Sequence, residues 1–286
     1  MRKLLALSAT AILLTACVGG PYSKPPAVDT TALATVLEAQ PEDAQARYDA
    51  RNPDETLAFF GIAPGMNVAE ALPGGGWYSK ILIPYLGPEG ELVGIDYSPD
   101  MWGEFSFATP EFIESKEGWA EEWSAKANDW VEGGAPVSAL TFDGVGAPDG
   151  DMDAVLFIRA LHNFNRFEDD GGYMTQAVEL AHDMLKPGGV VGVVQHRAPE
   201  TAPDAWADGS KGYLKQSAVI AKFEAGGFEL VEASEINANP LDKPGADDVV
   251  WRLPPSLNGV GDDEALKVKR MAIGESDRMT LKFRKI

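Results

Sequence analysis

Apolar positions along the chain fall into short blocks separated by glycine- and proline-containing turns, and the blocks alternate between helical and strand periods. Asn52-Pro53-Asp54-Glu55 reads as a helix start. Asparagine can cap, proline suits the first turn, and the acids favour the positive end of the helix dipole. Leu57, Phe59 and Phe60 carry that helix to Gly61, where it stops. Pro64-Gly65 then turns into a strand over residues 66–71, followed by Leu72-Pro73-Gly74-Gly75-Gly76 and an apolar-periodic helix over 77–86. A turn at 87–90 leads into a second strand, Glu91–Asp96. Further strands are expected at 137–142, 154–158, 190–194, 228–233 and 278–283. Helices are expected at 173–185 and 215–225, and a turn at 186–189. Residues 102–132 read as helical or irregular and hold four tryptophans, Trp102, Trp119, Trp123 and Trp130. Core packing is the default reading of these rings. Seven strands with helices between them are the inventory of one α/β domain with a doubly wound, mostly parallel sheet.

Composition narrows the partners. At 45% hydrophobic residues the chain has the balance of a globular protein, but 24 Lys and Arg stand against 44 Asp and Glu, for a net charge of -20. A surface that tracks phosphates needs clustered cations, so nucleic acid is excluded as the main partner. The acid pairs Asp151/Asp153, Asp169/Asp170, Asp247/Asp248 and Asp262/Asp263 lack the twelve-residue calcium-loop pattern and read as solvated loop charge. His162, His182 and His196 show no close metal-ligand spacing, so no metal is expected.

The N-terminus carries an address. Met1-Arg2-Lys3 precedes an apolar run from Leu4 to Leu14, too short for the roughly 20 residues of a spanning helix and suited to an export signal. Leu14-Thr15-Ala16-Cys17 resembles the lipobox of a bacterial lipoprotein, which implies cleavage before Cys17 and acylation of its thiol. Cys17 is the one cysteine in the chain, so disulfides and thiol catalysis are excluded. With no acid after Cys17, the resemblance implies a periplasmic protein, lipid-anchored to the outer membrane. Residues 1–16 are then signal, 17–45 a Gly-, Pro- and Thr-containing tether with a leading helix, and 46–286 the folded domain.

In a doubly wound sheet the ligand lies beyond the carboxyl ends of the strands, beside strand one. The Gly74-Gly75-Gly76 loop stands there and lets backbone approach a ligand. Glu70 lies near the end of strand one. Asp96 closes strand two, placed to accept from ribose hydroxyls, and Asp143 lies at the end of strand three, placed to meet an adenine amino group. Three acids and a glycine loop fit a nucleoside carrying positive charge. A dinucleotide site would need a final glycine or alanine where Ser79 stands, and no phosphate-binding P-loop pattern is present.

Glu70-Ala71-Leu72-Pro73-Gly74-Gly75-Gly76-Trp77-Tyr78 resembles motif I of class I S-adenosylmethionine-dependent methyltransferases, with Asp96 at the acid ending their second strand and Leu185-Lys186-Pro187-Gly188-Gly189 at the turn before their fifth. Further stretches, Leu57-Ala58-Phe59-Phe60-Gly61-Ile62, Trp251-Arg252-Leu253-Pro254-Pro255-Ser256-Leu257 and Gly274-Glu275-Ser276-Asp277-Arg278-Met279, are similar to a family of predicted bacterial methyltransferases, many with export signals. The resemblance spans residues 46–286. It implies a Rossmann-like fold, S-adenosylmethionine as cofactor, and methyl transfer to a small-molecule acceptor. Leu72 departs from the pattern, standing where the family has glycine, and is expected to crowd the methionine end of the cofactor.

Arg159-Ala160-Leu161-His162-Asn163-Phe164 follows strand four and supplies candidates for handling the acceptor. Methyl transfer is mainly a matter of positioning. His162 is the candidate proton acceptor because an ordinary imidazole titrates near neutral pH, with Asn163 and Arg159 as orienting groups. His196-Arg197 after strand five reads first as structural, as do Tyr173 and His182. Gly274-Glu275-Ser276-Asp277-Arg278 is a near miss to the G-x-S-x-G nucleophile elbow, with Arg278 where glycine belongs. The proline-rich segment 237–276 is expected to form a lid or an interaction surface. Two other function classes compete with the enzyme: a catalytically silent binding module on the same fold, favoured by Leu72, and an acidic envelope scaffold.

Overall fold

A computed structural model describes residues 26–286. Cys17 and the expected signal segment lie outside the described residues. The strands are β1 (Asn67–Ala71), β2 (Glu91–Asp96), β3 (Val137–Thr141), β4 (Met152–Ile158), β5 (Leu185–Ala198), β6 (Leu214–Lys215), β7 (Phe228–Ser234) and β8 (Arg278–Lys285). They form one sheet in the order β3-β2-β1-β4-β5-β8-β7, with β6 paired to the end of β5. The first five in that order run parallel, and β8 runs antiparallel between β5 and β7. The expected doubly wound, seven-stranded α/β sheet is therefore present, and β6 adds a two-residue extension to it.

Strand periodicity sends alternate side chains to opposite faces, and each face has its own core. Ala69, Ala71, Val93, Val155 and Phe157 pack against helices Tyr173–Met184 and Gln216–Ala225. Val68, Leu92, Ala154 and Leu156 pack against helices Thr30–Glu38, Pro53–Phe60, Ser79–Leu86 and Trp119–Asn128. Leu33 and Leu37 are buried there, so the stretch expected as tether joins the core from its first helix onward.

Three local expectations need correction. Asn52 does not cap with its side chain: its backbone is left-handed, with φ 39°, and its Nδ2 donates instead to Ile236 O at 2.8 Å. The helix still begins at Pro53 and ends at Gly61, whose φ of 81° suits glycine. The 186–189 turn lies inside β5 as a bulge, because Met152 and Ala154 of β4 pair with Leu185 and Val190. The 237–276 segment contains a helix, Glu264–Ile273, which sequence patterning did not separate from the surrounding loop.

Candidate active site

The parallel strands end on one edge, and there a cavity of about 560 Å³ opens, lined from β1, β2, β4 and β5 and by residues 250–256 and 275–276. Its volume falls in the usual range for small-molecule sites. Leu72, Gly74, Asp96, Arg159, His162 and Asn163 all line it. Of the expected cofactor residues, Glu70, Gly75, Gly76 and Asp143 do not.

The β2 end is acidic and aromatic. Asp96 is buried to 9% exposure, and that burial pushes its carboxyl up to about 6 against the opposing Tyr97 amide and Lys116 charge. Tyr97, Trp102, Trp119 and Lys116 complete this wall. The four tryptophans thus divide. Trp102 and Trp119 face the cavity, whereas Trp123 stacks on Trp119 with ring centres 5.5 Å apart and Trp130 meets Trp123 edge-on.

The glycine loop serves these rings as much as any ligand. Trp123 Nε1 donates to Gly74 O at 3.3 Å, and a β-carbon on Gly76 would stand 2.3 Å from the Trp130 ring. Gly76 is therefore required by packing, and Gly74 alone of the three lines the cavity. Asp143 does not reach the site because β3 ends at Thr141 and the chain turns. The Asp143 carboxylate is exposed and accepts from Thr141 Oγ1 and the Val145 amide. Glu70 is buried behind the cavity and accepts from Ser79 Oγ at 2.6 Å; burial pushes its carboxyl up to about 7.

Two non-glycine residues at strand ends have left-handed backbone. Leu72 has φ 53° after β1 and donates its amide to Ile95 O at 2.7 Å. Arg159 has φ 58° after β4 and donates to Val194 O at 2.6 Å. Such conformations cost of order 1–3 kcal/mol each and persist where surrounding contacts impose them.

Histidines and arginines occupy the β4–β5–β8 side. His162 is buried in helix Leu161–Arg166, with Nδ1 3.4 Å from Gln195 Oε1. Burial, with the Arg159 and Arg166 charges, pushes it down to about 4, so it is a neutral imidazole at pH 7 and a weaker base than expected. His196 also lines the cavity, its ring centre 5.4 Å from that of His162 and its Nδ1 2.6 Å from Ser276 Oγ. Burial and neighbouring positive groups hold it well below the ordinary range. Arg197, by contrast, points into ion pairs with Asp277 and Glu235. Tyr173 and His182 lie in the helix on the far side of β4, outside the cavity, Tyr173 bonded to Asp100 and His182 packed on Phe228.

Sequence reasoning missed the charged group behind these histidines. Glu275, 8% exposed, accepts from Arg47 Nη2 at 2.8 Å, Arg51 Nε at 3.3 Å and Arg278 Nη1 at 3.2 Å. Burial pushes its carboxyl up, but Arg51, Arg278, Arg159 and Arg47 together hold it below the usual carboxylate range. The near-miss motif 274–278 supplies Glu275, Ser276 and Arg278 to this cluster. In the sequence this stretch is visible as a near-miss nucleophile elbow and as a resemblance to the bacterial methyltransferases, and neither reading points to an ion-pair cluster. Trp251 and cis-bonded Pro254-Pro255 form the facing wall, which is what the 237–276 segment contributes here.

No family model matches the chain, and no curated protein does. Among solved structures it is similar to the [4+2]-cyclase SpnF, at 15% identity and a TM-score of 0.51 over 92% of this chain and 99% of that one. A SAM-dependent methyltransferase from Aquifex aeolicus shares 14% identity, with a TM-score of 0.48 over 89% of this chain and 98% of that one. An arsenic(III) S-adenosylmethionine methyltransferase from Chlamydomonas reinhardtii shares 16%, with a TM-score of 0.46 over 92% and 74%. The likeness to SpnF concerns the fold, a Rossmann-like α/β sheet, in agreement with the strand order above.

Proposed function

We propose that this chain is an S-adenosylmethionine-dependent methyltransferase acting on a small acceptor. The observation that carries the reading is Asp96: a buried acid ending the second parallel strand, facing a cavity at the carboxyl edge of the sheet. A carboxylate buried beside Tyr97 and Trp102 is stabilised by donors such as paired ribose hydroxyls, and the aromatic wall suits a base. These residues fit a nucleoside cofactor, and Gly74 permits its close approach to backbone. When bound, the cofactor supplies an electrophilic methyl carbon. Arg159 and Asn163 then orient the acceptor, and neutral His162 or His196 receives a hydrogen bond from the attacking group and, where that group carries a proton, takes it up. Export on a lipid anchor at Cys17 is part of the proposal, supported by the basic, apolar and Leu14–Cys17 pattern of the N-terminus.

Leu72 favours a second reading, a ligand-binding module without methyl transfer, since its side chain occupies the cavity wall beside Gly74. SpnF, with this fold, is a [4+2]-cyclase, so the fold alone does not fix the chemistry. Calorimetric titration of S-adenosylmethionine and S-adenosylhomocysteine decides between them. Micromolar binding by wild type, lost in Asp96→Ala, is the expected result. No binding by folded protein makes the second reading the answer, and equal binding by both proteins overturns the role of Asp96.

A further inference from the structure

Arg159 is a largely buried cation with no ion-pair partner in contact among the described residues. It lines the cavity, its Nε is buried, and among the described residues that atom has no hydrogen-bond partner. Among the described residues no ion pair reaches its guanidinium either, although Arg47, Arg51 and Arg278 are all paired with Glu275 nearby. Glu275 therefore faces four arginines with one negative charge. The other acid that feels Arg159 is Glu70, and burial keeps Glu70 largely protonated below neutral pH. A chain with net charge -20 has thus gathered a local excess of positive charge at one end of one cavity.

Burying a cation without a direct ion pair is unfavourable, and the partial field of Glu275 is shared with three other arginines. Arg159 also sits on strained backbone, so its position is imposed and not a default. Arg159 lines the cavity, where a planar guanidinium matches a carboxylate or phosphate through paired N–H groups. Position along the sheet edge separates this cation from the nucleoside side. Asp96 ends β2, whereas Arg159 ends β4, and His196 and Ser276 beside it belong to β5 and the residues before β8. The two charges lie on opposite sides of β1.

We propose that the β4–β8 end of the cavity is an anion subsite in which Arg159, backed by Arg51 and Arg278, holds a carboxylate or phosphate group of the second substrate. The acceptor is then an acidic small molecule, and Ser276 Oγ, 2.6 Å from His196 Nδ1, is free to donate its one hydrogen to it in the tautomer where His196 Nδ1–H donates to Oγ. The inference rests on the transferase reading only in calling that substrate a methyl acceptor.

The test is calorimetric titration of the full chain with inorganic phosphate and with acetate at fixed low ionic strength. Wild type is expected to bind at least one anion saturably, with a loss of tenfold or more in Arg159→Gln and partial retention in Arg159→Lys. Matching circular dichroism and thermal unfolding of the variants establish that they fold. Absence of saturable binding in wild type, or binding unchanged in Arg159→Gln, overturns the subsite. Competition separates the two sources of a carboxylate. Phosphate that binds alongside S-adenosylmethionine supports the acceptor assignment. Phosphate that competes with S-adenosylmethionine but not with 5′-methylthioadenosine, which lacks the amino-acid end, assigns Arg159 to the cofactor's own carboxylate and overturns it. Anion binding without any binding of S-adenosylmethionine leaves the subsite standing and removes the transferase reading.

Discussion

Glu70→Gln isolates the electrostatic cost of the acid buried behind the cavity. Burial pushes the Glu70 carboxyl up to about 7, while the Ser79 hydroxyl and the Arg159 charge pull it down without prevailing. In the unfolded chain the same carboxyl titrates near its ordinary value of 4.5. Between those values the folded protein holds a proton that the unfolded chain has released. Stability contributed by this group therefore falls as pH rises through that window, opposite to a salt-bridged carboxylate. The linkage relation with these two values gives a loss of about 2.5 kcal/mol between pH 5 and pH 8. Glutamine keeps the shape and an acceptor for Ser79 but does not titrate. The variant should gain about 2.5 kcal/mol on wild type across that pH range, or roughly 5–10 °C in unfolding temperature. Urea denaturation of both proteins at pH 5, 6, 7 and 8 reads the effect as a difference between proteins, so the titrations of Asp96, His162 and His196 cancel. A difference that does not change with pH would refute the argument, because it would mean that Glu70 is solvated or permanently ionised.

Three further outcomes are expected. Leu72→Gly should bind S-adenosylmethionine more tightly than wild type with little change in stability, since relief of about 1–2 kcal/mol of backbone strain offsets lost packing of a half-buried side chain; weaker binding on calorimetry would show that leucine contributes to the site. His162, pushed down to about 4, is neutral throughout the physiological range, so kcat/KM should show no inflection near pH 6.5 that disappears in His162→Asn. Finding such an inflection would mean that His162 titrates as an ordinary surface histidine. Glu275→Gln should destabilise by about 3 kcal/mol, because it leaves Arg47, Arg51 and Arg278 without their shared carboxylate. A change below about 1 kcal/mol in chemical denaturation would place the cluster in solvent.

Local signals carried the sheet and the β2 half of the site. Short runs following the turns at Pro64-Gly65 and 87–90 and ending in Glu70-Ala71 and Ile95-Asp96 located two strand ends, and topology then required a ligand site beside them. Asp143 shows how the same logic fails. Its position after the third apolar run suggests a site acid at a strand end, but Asp143-Gly144 is a turn dipeptide, and the turn consumes the carboxylate. Gly76 fails differently: its sequence context suggests a ligand, while the group it accommodates is Trp130, 54 positions further along the chain. Long-range pairing hid the arginine cluster altogether. Arg47 and Glu275 are 228 residues apart and meet because β8 inserts between β5 and β7 and brings the chain's last segment back against the helices that precede β1. No periodicity encodes that meeting.

The same insertion explains why one cavity can present opposite charges. The carboxyl ends of β1, β2, β4 and β5 come to one edge by parallel winding, which puts Asp96 at the cavity. Strand β8 runs the other way and brings its N-terminal end, Arg278, to that edge next to His196, its register partner on β5. The residues just before it, Glu275 and Ser276, are therefore delivered to the cavity by an antiparallel strand. Without this strand the cavity would lack Glu275, Ser276 and the Arg278 behind them, whereas Arg47 and Arg51 come from the segment before β1. The antiparallel return adds Arg278 and, just before it, Glu275, a single carboxylate that answers to Arg47, Arg51, Arg159 and Arg278 together. What remains is a cationic pole beside β4 and an acidic one at β2, separated by Leu72 and Gly74 at the end of β1. A ligand pair that carried a cationic centre towards β2 and an anionic group towards β4 would complement both poles at once; among the described residues Asp96 already has the Tyr97 amide and the Lys116 charge, whereas Arg159 Nε has no partner.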